Sequence, residues 1–315
     1  MARLAIAVIL LLPLYGQQPP SHVQSAATSL QRGDPDGAVR EAKAALAADP
    51  RDPAAHMLLG QAYLAKRSVA MVAEAKAELQ QALDLDPNLL WARFYLARIY
   101  IDLGLYDKAK DQLERGLKTR PDVPHFLSLL GDVERQLGHP QASIDLNRKA
   151  LERDATLTPA HYYMALAYLD LKNQDEAARE LDTAIASPYV APEMYVALAS
   201  IDVDRGRLNE AEALCKKAAA LDETRAETYV ALARVYNAKG AAEQAIAAVK
   251  LALPEGRTFP ATAYYQKIQA DAYFELGRAY QAKKMKAAAV EALTHALELD
   301  PARAETRRYL EALGQ

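Results

Sequence analysis

Every 34 residues this chain returns to the same arrangement of small and large side chains, and a period of that length confines it to a row of like supersecondary units. Aligned on Pro50, Pro87, Pro121, Ala155, Tyr189, Glu223, Arg257 and Pro301, the blocks are 37 residues apart once, then 34 five times, then 44. One column reads Ala26, Gly60, Ala97, Gly131, Ala165, Ala199, Ala233 and Gly277, usually with a large residue just before it. Tyrosine stands three places later at Tyr63, Tyr100, Tyr168, Tyr236 and Tyr280. A second small column follows, from Ala38 through Ser143 to Ala289, and a third from Ala45 through Gly116 to Ala296. Offsets of three, four and seven within each half are helical, and nothing alternates with period two over a strand's length. Each block therefore reads as a helix, a short turn and a second helix.

Small residues recur where helix axes cross, because a bulky side chain there would push the backbones apart and forfeit its neighbours' contacts. Turn chemistry fits: residues 33–36, Gly104, residues 138–140, residues 172–175, Gly206 and Gly240 fall between the two helices of their blocks. Proline after Asp49, Asp86 and Asp300 stops the second helix, since it brings no amide hydrogen to the ladder.

This pattern resembles the tetratricopeptide repeat, a 34-residue helix pair with a set order of large and small residues. In the third block the motif reads Arg93, Leu96, Ala97, Tyr100, Ala109, Leu113, Gly116 and Pro121. The resemblance covers residues 20–301 in about eight units. The family's tryptophan column departs from it, holding His22, His56, Arg93, Leu127, His161, Tyr195, Tyr229 and Tyr273. The first unit is worn, with Ser25 and Ser29 where large residues belong, as in an end cap or a frayed unit. The resemblance implies an all-α fold: a right-handed superhelical solenoid of stacked antiparallel helix pairs over residues 17–301, closed by a C-terminal capping helix over 302–315. That last segment sets Arg303, Glu305, Arg307, Arg308 and Glu311 opposite Tyr309, Leu310 and Leu313, the polar backing that an exposed end of a repeat stack requires.

The run of repeats leaves no linker for a second domain. A formal charge of −3 argues against wholesale binding to nucleic acid or anionic membrane, both of which need a basic surface. Residues 1–16 stand apart. Arg3, an apolar run over 4–12, then Pro13 and Gly16 before a polar stretch read as a secretory signal peptide cleaved near Gly16. The run is short of the roughly 20 residues that span a bilayer as a helix, and no cysteine follows it to carry a lipid. The expectation is an exported protein, periplasmic or extracellular. The alternative is a cytoplasmic protein whose first helix is retained.

Chemistry-bearing motifs are few. Cys215 is alone and shares a packing column with Leu79, Leu113, Leu181, Val249 and Leu293, so it reads as structural rather than reactive. His22, His56 and His161 share a column with tyrosines and read as half-buried packing groups, and no two histidines have the i, i+4 spacing of a helical zinc site. No phosphate loop, nucleophile elbow or paired-cysteine signature occurs. The chain is expected to be no enzyme and to need no cofactor or metal.

In the resembling family the first helix of each unit lines the concave face. Counting that helix from seven residues before the small column, the second, fifth, ninth and twelfth positions should point inward. The fifth reads Val23, Met57, Phe94, Ser128, Tyr162, Val196, Val230 and Phe274, an apolar stripe; the ninth supplies Arg98, Leu166, Arg234 and Arg278, and Trp91 joins from the second. Met57, Trp91, Phe94, Tyr162 and Leu166 form a candidate set of anchors for a partner's apolar side chains. Arg98 supplies a polar contact, and in the last two units Arg234, Asn237, Arg278 and Gln281 are suited to a carboxylate or backbone carbonyls. Packing against adjacent helices is the competing use of the same stripe. Family members that grip C-terminal carboxylates use lysine and asparagine in the groove, and no lysine occupies these positions here.

Two insertions break the register. Three residues lengthen the second unit around 66–72, and ten precede the last, putting Tyr264, Tyr265 and Ile268 on an added segment that serves as a second contact surface or as a packed lid. The function expected is a scaffold that holds a protein or peptide client in its groove. The alternative is self-association into a cell-envelope structure.

Overall fold

The computed structural model describes residues 21–66, 68–256 and 263–314. The signal peptide expected at 1–16 and residues 258–262 of the second insertion lie outside them. The described residues are helical, with no strand among them, and fall into two compact units, 21–160 and 161–314.

The first unit stacks four helix pairs: α1 (His22–Gln31) with α2 (Pro35–Ala48), α3 (Pro53–Ala65) with α4 (Val72–Leu85), α5 (Leu90–Asp102) with α6 (Tyr106–Thr119), and α7 (Pro124–Gln136) with α8 (Pro140–Arg153). The second pairs α9 (Thr158–Asp170) with α10 (Gln174–Ile185), α11 (Pro192–Asp204) with α12 (Leu208–Leu221), α13 (Ala226–Ala238) with α14 (Ala242–Ala252), and α15 (Ala263–Ala282) with α16 (Lys286–Leu299); α17 (Ala304–Ala312) follows unpaired. The first insertion becomes a single 3-10 turn, Val69–Met71, ahead of α4.

Helix starts are set by proline in the first turn, where its missing donor costs nothing, as in α2, α3, α7, α8 and α11. Capping side chains add to this. Asp34 accepts from the Gly37 amide at 2.8 Å, Asp52 from Ala54 at 2.8 Å, and Ser21 forms a reciprocal capping box with Gln24. The worn first unit is thus a complete helix pair.

Helix stops recur as an aspartate device. Asp49, Asp86, Asp154, Asp222 and Asp300 each follow the last residue of a second helix, and each carboxylate accepts from the backbone amide two residues on, at 2.9–3.2 Å. The turn inside each pair repeats as well. The residue seven after the first small column has positive φ at Gly33, Gly104, Gly138, Gly206 and Gly240, and also at Lys172 and Lys284. A left-handed residue with a Cβ is disfavoured by roughly 1–2 kcal/mol, which is why glycine dominates the column.

The small columns sit at helix crossings. A Cβ on Gly60 would lie 2.7 Å from the Leu79 side chain, one on Gly277 2.6 Å from Leu293, and one on Gly116 2.2 Å from the Phe126 ring. Beside them, Leu79, Leu113, Leu181, Cys215 and Leu293 are fully buried, each large aliphatic side chain contributing roughly 1.5–3 kcal/mol of hydrophobic stabilisation. In the second unit, α17 lays Tyr309, Leu310 and Leu313 on the cluster of Phe274, Leu293 and Ala296, and leaves Arg307, Arg308 and Glu311 exposed.

Candidate binding groove

The column that holds tryptophan elsewhere does more than pack. His22, His56 and His161 place Nδ1 at 2.8, 2.6 and 2.6 Å from Glu41, Glu78 and Glu180 on the second helix of the same pair, and Arg93 donates to Gln112 at 3.0 Å. The spacing is 19 residues, or 22 where the three-residue insertion intervenes. Several of these side chains also reach the carbonyl six residues back: His56 lies 3.1 Å from Pro50 O, Arg93 donates to Pro87 O at 2.6 Å, and the Tyr229 hydroxyl donates to Glu223 O at 2.9 Å. At His56 and Arg93 the column ties the first helix both to its partner and to the preceding turn, His22 and His161 make the first tie, and Tyr229 makes the second. An acid or amide 19 residues after the column was the signal available in the sequence.

In the first unit the expected anchors divide. Phe94 is buried, 5% exposed, with its ring 5.3 Å from Trp91, 5.8 Å from Tyr95 and 5.6 Å from Phe126. It is core rather than contact surface, because aromatic side chains from two successive first helices meet where the groove floor was expected. Trp91 caps this cluster half-buried, edge-on to His125 at 5.7 Å; burial holds the His125 imidazole below its ordinary pKa, against the pull of Asp154. Met57 is half-buried against Ala26, Ala42, Leu58 and Leu59, and Arg98 is half-buried.

In the second unit Tyr162 and Leu166 are half-buried, with the Tyr162 ring 5.6 Å from Tyr163. The donors expected to hold a partner's carboxylate are engaged within the chain. Arg234 donates to Ser200 at 2.9 Å and to Asp204 at 2.7 Å. Asn237 donates to the Glu275 carbonyl at 2.9 Å and carboxylate at 2.7 Å, and Arg278 donates to the same carboxylate at 3.0 Å. Burial pushes the Glu275 carboxyl above its ordinary pKa, against Arg278 and Asn237. Glu275 thus occupies the place that sequence reasoning gave to a ligand. Bonds between neighbouring pairs, 38 residues apart along the chain, leave no trace in a helical period.

The second position of the first helices, hydrophobic or imidazole at Trp91 and His125, is acidic in α11, α13 and α15, at Glu193, Glu227 and Asp271; Glu305 takes the matching place in α17, and α9 carries Pro159 there. Arg225 lies between the first two, 3.1 Å from Glu193 and 3.4 Å from Glu227, and Arg303 pairs with Asp271 while lying 4.3 Å over the Phe274 ring. Sequence reasoning missed this row, although Glu193, Glu227 and Asp271 each stand six residues before the small column at Ala199, Ala233 and Gly277. Between the acidic row and Arg234 and Arg278 opens a cavity of about 500 Å³, floored by Val196, Val230 and Phe274 from α11, α13 and α15. That volume is in the range of sites that enclose small ligands or peptide side chains.

The second insertion divides too. Ile268 is buried and Tyr265 half-buried against Ala226 and Ala252, whereas Tyr264 is 48% exposed and donates its hydroxyl to Glu227. Cys215 is buried, and burial raises its thiol to about 12, so it holds no thiolate at neutral pH. Among the described residues no group of three or more His, Cys, Asp or Glu could hold a metal ion, and no helix is long and apolar enough to cross a membrane.

Family models described as tetratricopeptide repeat match residues 28–89, 71–133, 162–226, 202–272 and 270–303, together most of the chain. Among curated proteins, the chain is similar to human Protein O-mannosyl-transferase TMTC3, 27% identical over 146 residues, which is 42% of this chain and 16% of that protein. It is also similar to mouse Superkiller complex protein 3, 31% identical over 123 residues, 39% of this chain and 8% of the other. The chain thus spans under a fifth of the length of either relative. Among solved structures, the APC/C hetero-tetramer Cut9-Hcn1 superposes with a TM-score of 0.71 at 18% identity, over 89% of this chain and 53% of that one. TTC0263, a tetratricopeptide repeat protein of Thermus thermophilus, does so at 0.51 and 23%, over 60% of this chain and 99% of its own. At these identities the likeness is one of fold.

Proposed function

The chain belongs to the tetratricopeptide repeat family, and on that premise we propose that it is a non-enzymatic scaffold that holds a protein or peptide segment against the first helices of its repeats. The cavity of about 500 Å³ carries this reading, because three successive first helices line it with an aliphatic floor and polar edges. The contact residues are Met57, Trp91, Arg98, Tyr162 and Leu166, with Arg234, Asn237 and Arg278 at a rim that Glu275 already braces. Phe94 supports Trp91 from beneath and touches the client only through it. The mannosyl-transferase likeness gives no reaction to this chain, since it spans 16% of that protein.

The accompanying domain reading is a leader at 1–16, repeats over 17–301 and a closing helix over 302–315, in a protein exported from the cytoplasm. A photo-crosslinking residue placed at Met57 or Tyr162 in the producing cell should capture a discrete client, and Trp91→Ala should reduce capture from position 57 with an unchanged circular dichroism spectrum. No captured species from either position, or one that survives Trp91→Ala, sinks the groove reading. Export is checked by fusing residues 1–16 to a phosphatase that is active only outside the cytoplasm; an inactive fusion returns the protein to the cytoplasm. Light scattering tests self-association, which would bury the same stripe between copies.

A further inference from the structure

The cavity of the second unit is unevenly balanced in charge. Each arginine that lines it is already held by a carboxylate of the same chain: Arg234 by Asp204, Arg278 by Glu275 and Arg303 by Asp271. Two of the lining acids, Asp271 and Glu275, are matched by these arginines, but Glu227 and Glu305 are not matched in full. Arg225 is shared between Glu193 and Glu227, and Glu305, exposed at the cavity's edge, has no cation within ion-pair distance among the described residues. The unmatched charge lies along one edge, beside the aliphatic floor.

A second observation falls on the same edge. The added turn of α15 brings Tyr264 to Glu227, where it donates its hydroxyl while its side chain stays 48% exposed. Tyr265, ring centroid 5.0 Å away, packs inward and fixes that placement. A carboxylate beside an exposed ring suits a lysine or arginine side chain, whose charge the acid neutralises and whose stem or guanidinium lies on the aromatic face. A carboxylate entering the same cavity would meet arginines that are taken and acids that repel it.

We propose that this groove selects a protein segment carrying a lysine or arginine next to aliphatic side chains, with the cation at the Glu227–Tyr264 edge and the aliphatic groups on Val196 and Val230. The proposal rests on the groove being a binding site and adds the chemistry of its occupant. Charge complementarity of this kind sets partner choice and association rate more than total affinity.

The test uses the full chain and a pair of fluorescein-labelled peptides of leucine and serine that differ at two positions, lysine in one and glutamate in the other. Fluorescence anisotropy should show the lysine peptide binding about tenfold more tightly at low salt, with the margin shrinking as salt rises. Glu227→Gln with Glu305→Gln should bring the two peptides within about threefold of each other. Should that pair of changes disturb folding, Glu305→Gln alone, on an exposed side chain, should still narrow the margin. Equal or tighter binding of the glutamate peptide, a lysine margin that survives the changes, or no binding of either peptide overturns the proposal. Val230→Trp, which fills the cavity, separates the two levels: if both peptides bind equally and Val230→Trp abolishes both, the groove stands as a binding site and its charge preference fails.

Discussion

At equivalent repeat positions the first unit places rings and the second places ions. In the first, Trp91 and His125 at the second position and Phe94 at the fifth close over Phe126 and leave a solid aromatic cluster. In the second, Glu193 and Glu227 hold Arg225 at the second position, while Val196 and Val230 at the fifth leave a cavity between the helices. The backbone motif is the same in both. At these positions small aliphatic side chains leave the face open where rings close it, although the cavity is also lined by Phe274 at the fifth position of α15.

The sharpest way to break this comparison is the column that holds Phe126 in one unit and Thr228 in the other. Phe126→Ala should cost about 3–5 kcal/mol, read as a lower denaturant midpoint, because a fully buried ring leaves a cavity among rings. Thr228→Val should move the midpoint the other way by about 1 kcal/mol, because the Thr228 hydroxyl is buried with no hydrogen-bond partner among the described residues. Equal losses at both sites would mean that the two units are not packed on different principles.

At the helix crossings the units should instead behave alike. Ala109→Leu in the first unit and Ala245→Leu in the second both overfill a fully buried position, and each should lower stability by about 1–3 kcal/mol. A neutral result at either would show that the small column does not mark the crossing there.

The smallest expected effect concerns pH. In the second unit Glu212 bonds Lys216 on its own helix and Lys239 just past the end of α13, and these two ammonium groups hold its carboxyl at about 2, from an ordinary value of 4.5. A depressed acid stabilises the fold fully above its unfolded pKa and loses that contribution as pH falls through its folded one. Glu212→Gln should therefore lower the melting temperature at neutral pH by the amount of a partly exposed ion pair, about 1 kcal/mol or less. The gap to the parent should close between about 4.5 and about 2. A gap that persists in strong acid would assign the effect to packing.

Much of the architecture was legible because it repeats. Small residues at fixed offsets located the crossings, and the stops expected at Asp49, Asp86 and Asp300 fall one residue past Ala48, Leu85 and Leu299, where the helices end. The groove was legible only in outline. A helical period says that Phe94 and Val230 face the same way, but not that one meets other rings while the other faces a void, because that depends on the volume contributed by the next pair. Charges were harder still. Arg225 with Glu193, Arg303 with Asp271 and Asn237 with Glu275 bridge neighbouring repeats, and their spacing of 32–38 residues exceeds the window in which a helical period is read.

The histidine and arginine ties of the tryptophan-equivalent column join residues 19–22 positions apart, and the other side-chain hydrogen bonds among the described residues span 40 or fewer, the value between Glu243 and Lys283. A chain secured over such short contour lengths can begin to order during its synthesis, each hairpin within a unit clasping its predecessor soon after it leaves the ribosome.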